Sequence, residues 1–233
     1  MSKRKKNGNG NSNELENKKS YTKKSVSVTA KSPNQKALLK SIKENLVTIV
    51  AGPPGSGKTM LSVVSGLREF IMGKYDKMIF TRPCVEAVGE NLGFLPGDLH
   101  EKIHPYMYPI FDFLSDYLNP KQMDAYLKSE SILTLPLAFQ RGITFRNSFV
   151  LLDEAQNTRP EQIRMFLTRI GDNCKVVITG DPLQSDIREK NGLVDACERL
   201  EGVSNLGIIK FTAEDILRNP IVAEIEQRYT NKK

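Results

Sequence analysis

Tryptophan is absent from this chain of 233 residues, histidine occurs twice and cysteine three times. Cys84, Cys174 and Cys197 are odd in number, far apart and without a Cys-x-x-Cys pair. Neither a disulfide framework nor a thiolate zinc site is therefore expected, and three reduced thiols suit a cytoplasmic location. No run of about eighteen apolar residues offers itself to a bilayer, so no membrane span is expected. The basic start is not followed by the apolar segment of a secretory leader.

The scarce histidines sit together, in LHEKIHP from Leu99 to Pro105, where His100 and His104 flank Glu101 in the spacing HExxH. On a helix such a pair shares a face and can hold one Zn²⁺ beside the glutamate. There is no third histidine. Moreover, the residue before a proline is pushed out of helical angles, so Pro105 is expected to spoil the geometry at His104. No zinc is expected.

What is present begins with charge. The net charge is +7, yet residues 1–40 alone carry eleven Lys or Arg against two acids, which leaves −2 for residues 41–233. The opening MSKRKKNGNGNSNELENKKSYTKKS has almost nothing apolar to bury. Residues 1–28 are expected to form a disordered basic arm, either a solubilising tail or a tether for nucleic acid. Residues 29–233 are expected to form one domain, since 39% hydrophobic residues suffice for a core.

Along that domain, Ser32 followed by Pro33 reads as a helix start, with Ala37, Leu38 and Ile42 at helical spacing. A β-rich run, Leu46 to Val50, leads into Gly52, Pro53, Pro54, Gly55, Ser56, Gly57, Lys58 and Thr59, and a helical pattern follows to Met72. Further buried-strand runs are Met78 to Thr81, Phe149 to Leu152, Val176 to Thr179 and Leu206 to Phe211. Helical patterns lie between most of them, which predicts an α/β fold with a mostly parallel sheet flanked by helices. The stretch from Leu95 to Phe145, rich in Tyr, Phe and Pro, reads as a helical insertion between the second and third of these strands.

The Gly52 to Thr59 stretch matches GxxxxGK[ST]. By residue usage this pattern and HExxH each arise by accident in roughly one chain in a hundred of this length, so context decides between them. Here a strand precedes the loop and a helix follows it. Glycines let backbone N–H groups turn toward a polyphosphate at the helix N-terminus; Lys58 would pair with β- and γ-phosphates and Thr59 would hold Mg²⁺. A second acid-bearing element is required, and Asp153, at the end of an apolar strand, can reach the metal through water. Glu154 beside it is placed as general base for the attacking water. At a third strand tip, TGDPLQ, Gln184 is the candidate sensor of the γ-phosphate.

These blocks carry a resemblance. LLDEAQNTRPEQIRMFLTRIG from Leu151 to Gly171 and VVITGDPLQSDI from Val176 to Ile187 resemble the PhoH-like family of P-loop ATPases. So do RGITF from Arg141, RPCVEAVGENLGFLPGDLHEKIHPY from Arg82, and DILRNPIVAEI from Asp215. The resemblance implies a RecA-like core related to superfamily-one helicase motors, with ATP and Mg²⁺ as cofactors, ring-shaped homo-oligomers and action on RNA. It also implies that Gln35, ahead of the P-loop, reads adenine. One departure is Val88, inserted in VEAVGENLGFLPG where the family pattern runs VEAGExLGFLPG.

A single core lacks the second lobe of a helicase, so the arginine that steadies γ-phosphate charge is expected from a neighbouring subunit, with Arg218 preferred over Arg169. Single-stranded RNA or DNA is expected over the loops at the strand ends near Arg82, Arg141 and Arg146. Tyr106, Tyr108, Phe111 and Phe113 either stack on bases or pack the inserted helices. An alternative function is a nucleotide-regulated assembly module with slow hydrolysis and a protein client. A small-molecule kinase is disfavoured, because the DEAQ and GDPLQ blocks suit water activation.

Overall fold

The computed structural model describes residues 25–83, 99–187 and 190–216, with 221 and 228; for 99–105 it describes the backbone alone. The expectations for residues 1–24, Val88 and Arg218 lie outside the described residues.

Six strands form one sheet: β1 (Val47–Ala51), β2 (Lys77–Thr81), β3 (Ile132–Thr134), β4 (Ser148–Leu152), β5 (Cys174–Gly180) and β6 (Leu206–Lys210). Their order is β3-β2-β4-β5-β1-β6, and every pairing is parallel. All C-terminal ends thus meet at one edge, where open α/β sheets place their ligands.

The alternation of side chains along the strands splits the core in two. Val50, Met78, Phe80, Phe149, Leu151 and Val177 face one layer, formed by α1 (Pro33–Glu44), α2 (Lys58–Ile71) and α3 (Leu99–Ser115). Ile49, Ile79, Val150, Leu152, Val176 and Ile178 face the other, built from α5 (Pro160–Leu167) and α6 (Gly192–Arg199). Between α3 and β3 lies α4 (Pro120–Lys128), capped by Asn119. The sandwich is therefore α/β with a parallel sheet flanked by helices, as the sequence pattern predicts.

Three local expectations need correction. Helix α3 runs unbroken through Pro105, so the proline argument against the HExxH pair does not hold for the backbone. A proline inside a helix costs about 3 kcal/mol. Met107, Ile110 and Leu114 are fully buried on this helix, each contributing about 1.5–3 kcal/mol, which is enough to offset it. The insertion also contributes an edge strand, β3, whose three residues pair with Met78 to Phe80. Val26 and Val28, assigned to the arm, pack against the core, so the body begins earlier than residue 29.

The two ends of the described body are tied together. Ser32 caps α1 by accepting from Gln35 N, and its hydroxyl donates to Asp215 Oδ1 at 2.5 Å. Asn34 Nδ2 and Thr212 N each donate to Asp215 Oδ2 at 2.8 Å. Burial pushes the Asp215 carboxyl up, but the hydrogen bonds from Asn34, Ser32 and Thr212 outweigh it and hold it below the ordinary value of 3.8. An aspartate more acidic in the folded state adds stability that is complete above its unfolded value and is lost as pH falls through the folded one. In urea titrations Asp215→Asn is expected to be less stable than wild type at neutral pH. The two midpoints should converge below the carboxylate range; a gap constant with pH would contradict this.

Candidate nucleotide and metal site

At the C-terminal edge of the sheet, β1 passes into the glycine loop and α2 begins at Lys58. Its N-cap is Gly57, at φ +86°, a left-handed conformation that L side chains rarely adopt, and no side chain caps the helix. The N-terminal N–H groups of α2 are thereby left for an anion. The Lys58 ammonium curls back over the loop, donating to Pro53 O at 2.6 Å and to Ser56 Oγ at 3.4 Å. Ser56 Oγ in turn donates to Pro53 O at 2.7 Å.

The acid comes from β4. This strand is not the immediate neighbour of β1, for β5 lies between them, yet the register brings the required groups together. Leu152 pairs with Ile178 on one side and with Thr81 on the other, so Asp153 stands between Thr179 and Arg82. Asp153 Oδ1 accepts from Thr59 Oγ1 at 2.9 Å and from Thr179 Oγ1 at 2.5 Å. Oδ2 accepts from Arg82 Nη2 at 2.6 Å and Nε at 3.1 Å. The carboxylate is 2% exposed and each oxygen has two donors. A hydroxyl and a carboxylate are hard oxygen donors of the kind Mg²⁺ takes while keeping several waters, so Thr59 and Asp153 fit the metal expected of them.

Glu154 follows at φ +57°, a left-handed backbone rare outside glycine. Such strain, costing about 1–3 kcal/mol, gathers at functional sites. Its carboxylate Oε2 accepts from Gln156 Nε2 at 2.6 Å, and Gln156 Oε1 accepts from Asp181 N at 3.0 Å. The buried Gln156 therefore links the candidate base to the turn after β5. That turn presents Gln184, which is exposed and whose N–H donates to Asp181 O. Pro54, Gly55, Gly57, Lys58, Thr59, Asp153, Glu154 and Gln184 line one cleft of about 450 Å³, closed on the far side by Pro109 and Phe113 of α3. A larger groove, about 620 Å³, between α5 and α6 holds none of these groups, and convergent chemistry outweighs size in choosing between them.

Other predicted residues are placed elsewhere. Gln35 does not line the cleft: it is 1% exposed, donates from Nε2 to Ser56 O at 2.9 Å and accepts from Lys31 N at 2.7 Å. Its amide braces the glycine loop from behind. Gln35→Ala should therefore weaken ATP and GTP binding alike and destabilise the fold by about 1–3 kcal/mol, the cost of stranding buried polar groups. A loss confined to ATP in competitive binding would restore the adenine-reading role. Arg82 is engaged with Asp153, and Arg146 leads into the start of β4, at the edge opposite the cleft. Arg141, the third arginine assigned to nucleic acid, is exposed. Arg169 is half-buried, its Nε donating to Met165 O of its own chain. Phe111 and Phe113 pack against the core, whereas Tyr106 and Tyr108 are exposed. Sequence reasoning missed the roles of Thr179 and Gln156, although both lie in blocks it singled out.

A parallel α/β sheet with a glycine loop, its lysine and threonine, and an acid pair two strands away defines a P-loop nucleoside-triphosphatase fold. Within that class the PhoH-like protein family matches residues 27–230, and the chain belongs to it. A PhoH-like protein of Bacillus subtilis is 42% identical over 208 residues, covering 88% of this chain and 65% of that protein. Protein PhoH of Escherichia coli K12 is 38% identical over 207 residues, covering 87% of this chain and 58% of its own length. The chain thus spans about three fifths of the curated relatives it matches. Among solved structures it is similar to the Sulfolobus solfataricus SWI2/SNF2 ATPase core in complex with dsDNA. That match has a TM-score of 0.43 at 14% identity, over 69% of this chain and 34% of that one. A likeness so loose carries nothing about activity. Among the described residues no helix is long and apolar enough to cross a membrane.

Proposed function

We propose that this chain is a Mg²⁺-dependent ATPase whose turnover is coupled to single-stranded RNA or DNA. The observation that carries the reading is the convergence of Lys58, Thr59, Asp153, Glu154 and Gln184 on one cleft at the strand ends. Lys58 leaves the Pro53 carbonyl for the β- and γ-phosphates; the helix N-terminus and loop N–H groups hold the rest of the polyphosphate. Thr59 and Asp153 hold Mg²⁺, which when bound offsets the phosphate charge. Glu154 takes the proton of the attacking water, held toward it by Gln156, and Gln184 orients against the γ-phosphate.

Among the described residues lining the cleft, Lys58 is the one cation. A phosphoryl-transfer site gains greatly from a second, so a subunit of a homo-oligomeric ring is assigned the missing arginine, Arg218. Support for nucleic acid is the exposed set Tyr106, Tyr108, Phe139 and Arg141, from α3 and the loop after β3, which offers rings and a guanidinium for stacking. The basic arm ahead of Val26 would add salt-dependent affinity to the domain that follows it. A cytoplasmic location fits the free thiols Cys174 and Cys197.

The test is phosphate release from ATP with and without single-stranded RNA. Stimulation that disappears in Glu154→Gln supports the reading. Hydrolysis indifferent to RNA favours instead a nucleotide-regulated assembly module with a protein client.

A further inference from the structure

Arg82 has two attachments, and they lie on different parts of the molecule. It directly follows β2, and Thr81 is registered with Leu152, so its side chain abuts Asp153. Two of its nitrogens donate to Asp153 Oδ2, while the third, Nη1, donates to the carbonyl of Tyr106 on α3 at 2.6 Å. The guanidinium is thus a clasp between the carboxylate of the metal site and the inserted helix that forms the cleft's far wall. We propose that Arg82 is a positioning residue acting through Asp153: its guanidinium holds α3 to the cleft and competes with a divalent cation for Asp153, so that cation uptake there releases α3. The proposal rests on the cleft being a Mg²⁺-nucleotide site.

Three features support a clasp that opens. Asp153 has no spare acceptor position, since Thr59 and Thr179 occupy Oδ1 and Arg82 occupies Oδ2. A cation or its water must displace one of these donors, and the guanidinium is the one whose charge a dication repels. By the i+4 geometry of the unbroken helix the N–H of Ile110 faces the Tyr106 carbonyl, and a carbonyl oxygen has two lone pairs. Losing Arg82 therefore strands nothing. Finally, α3 is weak in its own ladder at this point. Pro105 and Pro109 lack N–H groups, so the carbonyls of Glu101 and Pro105 lose their i+4 donors on one face of the helix. The clasped segment carries Pro109 and Phe113, which line the cleft, and the exposed Tyr106 and Tyr108. Cation binding at Asp153 would in this way reach the surface assigned to nucleic acid.

The test is amide hydrogen exchange over residues 106–114, together with the Mg²⁺ concentration needed for half-maximal ADP binding. In wild type, ADP with Mg²⁺ should speed exchange there several-fold, and ADP with EDTA should not, because phosphate alone leaves Asp153 to Arg82. Arg82→Ala should exchange fast without ligand, show no further response, and need about fivefold less Mg²⁺. Arg82→Lys keeps a charge beside Asp153 but reaches only one of the two partners. It should uncouple α3 while leaving the Mg²⁺ requirement near that of wild type. A merely structural arginine would not lower the Mg²⁺ requirement in the alanine variant while leaving it near wild type in the lysine variant. Wild-type protein that binds Mg²⁺-ADP without any change at α3, or either variant retaining the full response, would overturn the clasp. Wild-type protein that binds no ADP removes the nucleotide-site reading, and the clasp with it.

Discussion

Glu154→Gln is expected to slow phosphate release from ATP by about 10²–10⁴-fold, the range that a positioned general base supplies, while nucleotide affinity stays close to that of wild type. The substitution is nearly isosteric. The amide oxygen can still accept from Gln156 Nε2, the partner of Glu154 Oε2 at 2.6 Å, so the backbone at φ +57° keeps its support. What is lost is the capacity to take a proton. Lys58 and the loop N–H groups, which hold the polyphosphate in this reading, are untouched. Binding of ATP measured beside single-turnover hydrolysis separates the two quantities. Turnover within a few-fold of wild type would remove Glu154 from the base role and leave the cleft as a binding site. If affinity and turnover fell together, Glu154 would instead be part of the scaffold that shapes the loop after β4.

Much of this arrangement is legible in the sequence, for definable reasons. Strands buried on both faces read as short apolar runs, and β2, β4 and β5 sit where the runs at Met78, Phe149 and Val176 begin, to within two residues; the run at Leu206 marks β6, a half-buried edge strand. The glycine loop is legible because its function needs particular residues in sequence order. Asp153, Glu154 and Gln184 are legible because each ends or follows an apolar strand.

What escapes is whatever depends on neighbours across the sheet. Thr179 and Arg82 meet at Asp153 only through the register of β2, β4 and β5, and no local pattern encodes register. The edge strand Ile132–Thr134 is too short for its period to show and exists through its pairing with β2. Pro105 misleads in the other direction, because tertiary burial of Met107, Ile110 and Leu114 overrides a local rule. For Gln35 the resemblance supplied a role, and the structure supplies a different neighbour, the carbonyl of Ser56.

Gly66 is where local and tertiary reasoning give opposite signs, and its substitution is expected to show which one decides. It lies in the middle of α2, in LSVVSGLREF. By helix propensity alone Gly66→Ala should stabilise the protein by about 1 kcal/mol. The structure predicts the reverse. A Cβ at Gly66 would stand 2.5 Å from both Cδ1 and Cε1 of Phe149, and 2.9 Å from Cγ. Phe149 is wholly buried on β4, packed near Tyr75 with ring centroids 6.3 Å apart, so its ring has nowhere to swing. Either α2 lifts from the sheet or the ring leaves its rotamer, and overpacking of this kind costs about 1–3 kcal/mol. Net destabilisation is therefore expected for Gly66→Ala in urea unfolding, and failure to fold for Gly66→Leu, whose added volume the close-packed layer cannot take. Ser65→Ala, one position away and partly exposed, gains the same kind of propensity without the contact and should be neutral or stabilising. Because α2 begins at Lys58, a helix lifted off β4 would also carry Thr59 away from Asp153. A weaker nucleotide affinity in Gly66→Ala, in proportion to its lost stability, would show that the close seating of α2 on β4 sets the metal site as well as the core.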